Sequence, residues 1–232
     1  TLPQGPPFDA TWTDRLCRRW VDVLAELHRL DTRQCGLAEL GNPEGYVARQ
    51  VRGWSARYRD ARTEDVPDFE AVMAWLADNM PPDHPKPALI HNDYKFDNVI
   101  LDPAEPDRII GVLDWEMATV GDPLMDLGAS LAYWIEAGDS EEFKLAATMP
   151  TNAPGMLTRR EIVACYEEKT GTAVENFAWY YCFGLFRLAV IAQQIYYRFY
   201  HGQTTDKRFE MLGLAVGILE KAALKVMETG KY

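Results

Sequence analysis

Apolar side chains recur at intervals of three and four near the start of the chain: Trp12, Leu16, Trp20, Val23, Leu24 and Leu27. That spacing lines one face of a helix. Asn42-Pro43 offers an N-cap followed by proline in the first turn, and Tyr46, Val47, Val51, Trp54 and Tyr58 continue a second amphipathic helix. Its other side carries Arg49, Arg52, Arg57 and Arg59, read as a solvated face rather than a phosphate-binding one. A third helix is expected from near Pro67 to Met80, where Pro81-Pro82 stops it. The texture then changes. Ala88-Leu89-Ile90 is too short for a helix, and Asn98-Val99-Ile100-Leu101 and Arg108-Ile109-Ile110-Gly111-Val112-Leu113 are two β-branched runs. They are joined by Asp102-Pro103-Ala104-Glu105-Pro106-Asp107, rich in turn formers, so the pair predicts a β-hairpin. Helices resume with Leu124 to Ala137. Another starts at Thr158, where Thr158 and Glu161 form a capping box and Gly171 supplies the stop. An aromatic helix and a last one from about Asp206 to Met227 complete a mainly α domain with one small hairpin, an α+β fold.

Composition narrows this picture. A chain of 232 residues, 47% hydrophobic and 12% aromatic, buries a sizeable core. The net charge of −11 removes the basic footprint of a nucleic-acid binder. The one long apolar stretch, Phe177 to Tyr200, is interrupted by Arg187, Gln193, Gln194 and Arg198. It therefore reads as a buried helix, with no membrane partner expected. Cys17, Cys35, Cys165 and Cys182 show no CxxC or zinc-ligand spacing and are read as reduced thiols of a cytoplasmic protein. Residues 1–10 have neither the charged nor the apolar region of a signal peptide and read as a linker.

The polar residues that carry chemistry fall between His91 and Asp126. His91-Asn92-Asp93-Tyr94-Lys95-Phe96-Asp97-Asn98 leads into the hairpin, and Asp114-Trp115-Glu116 leaves it. A hairpin brings its two ends together, so Asp93, Asn98 and Asp114 are expected in one small volume. Two carboxylates and a carboxamide there repel one another unless a cation joins them. Oxygen donors of this kind suit Mg²⁺, which leans on one or two carboxylates plus a phosphate. A carboxylate beside that metal can take a proton from a hydroxyl, the arrangement phosphoryl transfer needs.

Asp93, Lys95 two later, Asn98 five later, and Asp114 beyond a hairpin repeat the catalytic-loop and metal-loop pattern of kinases. The segment resembles the aminoglycoside phosphotransferase and choline-kinase-like group of small-molecule kinases, which share the protein-kinase-like fold. There the first motif commonly reads His-Gly-Asp; here Asn92 stands for the glycine. Leu113-Asp114-Trp115-Glu116 and Gly121-Asp122-Pro123-Leu124-Met125-Asp126-Leu127 are most similar to the branch that includes kinase-like domains fused to acyl-CoA dehydrogenases, and Leu27-His28 matches a recurrent feature of the group. The resemblance implies Asp93 as catalytic base, Lys95 near the transferred phosphate, and Mg²⁺ on Asn98 and Asp114, with Glu116 joining a second metal. It implies ATP as phosphoryl donor, with Ile100 and Leu101 flooring the adenine site beside Asp114. His91, His28, Asp122 and Asp126 would give structural support.

By the same resemblance, residues 11–232 correspond to the C-terminal lobe, with catalytic and metal loops over 88–126 and a helical substrate region over 127–232. No Gly-rich loop or lysine-bearing strand precedes Asp93, so the β-rich N-terminal lobe is expected to be absent and the chain alone inactive. The missing lobe and a small-molecule hydroxyl substrate are the expected partners. A hydroxyacyl-CoA or hydroxy acid is preferred over an aminoglycoside, for which Glu136, Asp139, Glu141 and Glu175 would have to form an acidic pocket. The alternatives are a kinase fold kept as a non-catalytic binding module and a metal-dependent phosphohydrolase, which would need more histidines than His91 at the cluster. Trp115 is expected in the core, and His84 and His201 in solvent.

Overall fold

A computed structural model describes residues 9–232, so most of the segment read as a linker, residues 1–8, lies outside the described residues. Asp9 caps helix α1 (Ala10–Arg29) by accepting from the Trp12 amide at 2.9 Å. Trp12, Leu16, Trp20, Leu24 and Leu27 are buried on its inner face, while Val23 is half-buried at the edge.

Helix α2 (Tyr46–Ala61) starts later than the Asn42-Pro43 signal predicts. Asn42 instead makes a local turn, accepting from the Glu44 amide at 3.1 Å. The helix is capped from a distance by Asp83, whose carboxylate accepts from the amides of Gly45 (2.6 Å) and Val47 (3.3 Å). The four arginines of α2 are exposed. Helix α3 is shorter than expected, Glu70–Asp78.

Strand β1 (Ala88–Ile90) pairs antiparallel with β4 (Thr119–Gly121), and β2 (Val99–Leu101) with β3 (Ile109–Val112). The predicted hairpin is β2–β3. Asn98 lies outside it, ending a 3₁₀ turn over Phe96–Asn98. Two ion pairs tie the hairpin tip to α1: Arg15–Asp107 at 2.8 Å and Arg19–Glu105 at 3.0 Å.

Helix α4 (Pro123–Ala132) is buried along its whole length and stops short of the expected Ala137. Beyond it, Trp134 donates to the Leu157 carbonyl and the Ile135 amide to Thr151, and these non-local bonds draw the chain out of the helix. A short helix α5 (Glu141–Lys144) follows. Helix α6 (Arg159–Thr170) has the predicted Thr158–Glu161 capping box and left-handed Gly171 stop. Helix α7 (Phe177–Tyr200) has the predicted bounds, and α8 (Met211–Thr229) follows a 3₁₀ turn over Lys207–Glu210.

The core is built around α7, which packs on α8, α4 and α2. Its contact with α4 is a backbone-to-backbone crossing. A Cβ on Gly184 would sit 2.2 Å from the Gly128 carbonyl oxygen, and one on Gly128 would sit 2.4 Å from the Tyr180 carbonyl oxygen. Only glycine permits that approach. The four cysteines are free. Among the described residues no helix is long and apolar enough to cross a membrane.

Candidate active site

Strand β1 delivers the chain to the loop beginning at His91, and α4 holds that loop from beneath. Asp126, fully buried on α4, accepts from the amides of His91 and Asn92, each at 2.8 Å, and from His28 Nε2 at 3.1 Å. Burial alone would raise its pKa. The bonds from His28, His91 and Asn92 outweigh that and hold it below the ordinary carboxylate value. His28 Nδ1 meets the Tyr166 hydroxyl at 2.7 Å, so α1, α4 and α6 share one buried polar knot. The Tyr94 hydroxyl, donating to the Trp20 carbonyl at 2.9 Å, pins the loop to α1.

Asn92 has φ of 65°. Asparagine is one of the few side-chain-bearing residues that tolerate the left-handed region, which accounts for its standing where the related motif has glycine. Its side chain donates to the Met117 carbonyl at 2.9 Å.

Asp93, Lys95 and Asn98 are in direct contact. Lys95 Nζ donates to both Asp93 carboxylate oxygens, at 2.9 and 2.8 Å. Burial opposes the lysine's charge, but the bond to Asp93 outweighs it and raises the pKa. The ammonium also lies 4.8 Å from the centre of the Tyr133 ring. Asn98 Nδ2 donates to the Asp93 carbonyl at 2.8 Å and to its carboxylate at 2.9 Å. With its nitrogen so engaged, the carboxamide keeps its oxygen for an outside ligand.

Asp114 joins this group through the backbone. The Leu113 amide donates to the Asn98 carbonyl at 2.8 Å, and the Leu113 carbonyl meets His91 Nε2 at 2.7 Å. Asp114 is the next residue, exposed and left-handed with φ of 65°. Glu116 follows in an exposed 3₁₀ turn over Trp115–Met117. Among the described residues no three His, Cys, Asp or Glu side chains gather as a ready-made metal cage. An Asn–Asp oxygen pair fits Mg²⁺, whose remaining positions go to water and phosphate oxygens.

His91 has both ring nitrogens committed, Nε2 to Leu113 and Nδ1 to the Asp93 amide at 3.2 Å. Asp122 caps α4, accepting from the Leu124 amide at 2.8 Å, and burial raises its pKa. Ile100 is exposed beside Gly111, and Leu101 is half-buried. Trp115 is not core: it is 41% exposed, with its ring 4.8 Å from that of His91. His201 is exposed and His84 half-buried. Ile110, Leu113 and Met117 are exposed as well, so large apolar side chains surround the hairpin.

Three of the four carboxylates considered for an aminoglycoside are engaged in ion pairs, and the fourth, Glu175, is exposed. Asp139 and Glu136 bind Arg159, and Glu141 pairs with Lys144. A cavity of about 340 Å³ between α5, α7 and α8, lined by Arg159, Tyr181, Lys221 and Tyr232, borders none of the loop residues. Sequence reasoning missed two neighbours of the site, Tyr133 and Arg187. For Arg187 the signal was present, a charge inside an otherwise apolar helix.

The model of the phosphotransferase enzyme family (APH) matches residues 5–157, more than half of the chain. This chain belongs to the phosphotransferase enzyme family. Acyl-CoA dehydrogenase family member 11 of Gallus gallus is 33% identical to the phosphotransferase chain over 193 residues, covering 80% of this chain and 24% of the relative. The chain thus spans about a quarter of that relative's length. A crystal structure from Ralstonia eutropha, provisionally assigned as an aminoglycoside phosphotransferase, is 27% identical with a TM-score of 0.81, covering 95% of this chain and 68% of its own. Choline kinase from Cryptosporidium parvum, 8% identical, shares the fold with a TM-score of 0.59 over 99% of this chain and 71% of its own. A spectinomycin phosphotransferase solved with ADP and spectinomycin, 14% identical, does so at 0.51 over 92% and 66%.

Proposed function

We propose that this phosphotransferase lobe serves transfer of the γ-phosphoryl group of ATP to a hydroxyl of a small molecule. The reading is carried by the contact of Lys95 and Asn98 with the two oxygens of Asp93. The lysine and carboxamide fix the carboxylate and leave it beside the hairpin end that holds Asp114. In the reaction the substrate oxygen forms a bond to the γ-phosphorus, the bond from that phosphorus to the ADP oxygen breaks, and the hydroxyl proton passes to Asp93. Asn98 and Asp114 would hold Mg²⁺, with Glu116 available to a second ion; the metal neutralises phosphate charge. Asp126 and His91 keep the loop in register.

The preferred substrate is a hydroxy acid or hydroxyacyl-CoA, supported by likeness to acyl-CoA dehydrogenase family members and by ion pairs that occupy Glu136, Asp139 and Glu141, three of the four acidic residues an aminoglycoside would use. The commitment of both His91 nitrogens counts against a histidine-based phosphohydrolase. The chain alone is expected to be inactive, with turnover requiring a nucleotide-covering lobe.

The test is Mg·ATP consumption by the full-length protein offered hydroxy acids, hydroxyacyl-CoAs and aminoglycosides. Asp93→Asn should lower kcat by about 10²–10⁴. Turnover in that variant within fivefold of the parent would end the reading. Absence of Mg·ATP affinity would favour a binding module.

A further inference from the structure

Arg187 lies in the middle of α7, only 4% exposed. The other buried arginine, Arg159, is satisfied in the ordinary way by Asp139 at 2.7 Å and Glu136 at 3.3 Å. Arg187 has no such partner: among the described residues no carboxylate forms an ion pair with it. Its guanidinium lies 5.1 Å from the centre of the Trp54 ring, and Nη2 is 3.7 Å from Met117 Sδ. An aromatic face and a thioether are weak company for a buried cation. Removing a guanidinium from water without a counter-ion is costly, and proteins ordinarily pair such a charge.

Its position gives the missing partner an address. Met117, against which the guanidinium lies, follows Asp114 by three residues in the 3₁₀ turn that leaves the hairpin. The Met117 carbonyl is bonded to Asn92, the residue before Asp93. Arg187 is thus linked to the Asp93 loop through Met117 and Asn92.

We propose that Arg187 is the anion-binding residue of the substrate site, receiving a carboxylate or phosphate oxygen of the same molecule whose hydroxyl meets Asp93. The proposal rests on the phosphotransferase reading above and narrows it to hydroxyl compounds that carry an anionic group. The planar fork of arginine suits either oxyanion.

The experiment compares full-length parent, Arg187→Met and Arg187→Lys. The probes are straight-chain hydroxy acids of four to eight carbons, their methyl esters, and their coenzyme A thioesters, with ATP turnover and calorimetric binding as readouts. The parent should prefer an anionic probe to its methyl ester. Arg187→Met should raise KM for that probe at least about thirtyfold, the scale of losing a buried charge pair, with KM for ATP unchanged. Preference for free acids identifies a carboxylate as the bound group; preference for thioesters identifies the carrier's phosphates. Arg187→Lys, which keeps the charge without the fork, should fall between, and it carries the test should Arg187→Met fail to fold. Equal KM for acid, ester and thioester in the parent, or an Arg187→Met effect confined to ATP, overturns the proposal while leaving the kinase reading intact. Should no probe be phosphorylated, the hydroxy-acid and hydroxyacyl-CoA reading of the substrate fails. Calorimetry then decides on Arg187 alone: anion binding lost in Arg187→Met upholds it, and binding unchanged or absent in the parent overturns it.

Discussion

Asparagine at position 126 would keep the shape of the side chain and remove its charge. Asp126 receives three donors at 2.8, 2.8 and 3.1 Å in a place without solvent contact. An asparagine offers one acceptor oxygen and turns an NH₂ group towards donors that also need an acceptor. Hydrogen bonds to a charged group contribute about 1.5–3 kcal/mol each, and breaking a buried polar pair by altering one partner costs about 3–5 kcal/mol. The expected loss is therefore about 3–5 kcal/mol at pH 7. At roughly 2–4 °C per kcal/mol for a chain of this size, the melting midpoint should fall by about 6–20 °C. Urea titrations of parent and Asp126→Asn, followed by tryptophan fluorescence from pH 7 downwards, check this. The native pKa of Asp126 lies below its ordinary 3.8, so its contribution is complete above the unfolded value and disappears as pH falls through the folded one. The gap between the two proteins should be flat down to about pH 5 and close below about pH 4. A difference under 1 kcal/mol at pH 7, or a gap that widens on acidification, would refute the account of Asp126 as the loop's brace.

Two further substitutions probe the backbone of the site. Asn92→Gly should leave the melting midpoint within a few degrees of the parent, because glycine adopts φ of 65° freely. Asn92→Val should cost more than about 2 kcal/mol and most of the turnover, since a β-branched residue is strained there and the bond to Met117 is lost; equal stability of the two variants would contradict this. Gly184→Ala places a methyl group against the Gly128 carbonyl. It should destabilise the chain by about 1–3 kcal/mol by thermal melt, and unchanged stability would show that α7 can shift without cost.

What the sequence discloses is mostly local. Capping by Thr158 and Glu161, the stop at Gly171 and the extent of α7 each depend on residues within a turn or two, and each appears as read. The phosphotransferase motif is legible for the same reason, since Asp93 and Asn98 lie five residues apart. Misreadings occur where the partner is distant. Asn42-Pro43 looked like a helix start, yet Asn42 holds only the Glu44 amide, and the amides of Gly45 and Val47 are taken by Asp83, 38 residues beyond Gly45. Strand β4 is three residues long and exists only through pairing with Ala88–Ile90. Trp115 has a core residue's composition, but the 3₁₀ turn after left-handed Asp114 turns it outwards. Arg187 could be noticed as a charge in an apolar helix; its lack of a carboxylate partner could not.

The surroundings of the β2–β3 hairpin have a consequence for handling the protein. Ile100, Ile110, Leu113, Trp115 and Met117 are all more than a third exposed, beside a ribbon of only two strands whose outer backbone edges are unpaired. Oily surface next to open strand edges is how one chain recruits another into precipitate. Turbidity of a concentrated sample should therefore arise from this corner of the molecule first, and added salt, by weakening the mutual repulsion of chains carrying −11 charges, should hasten it.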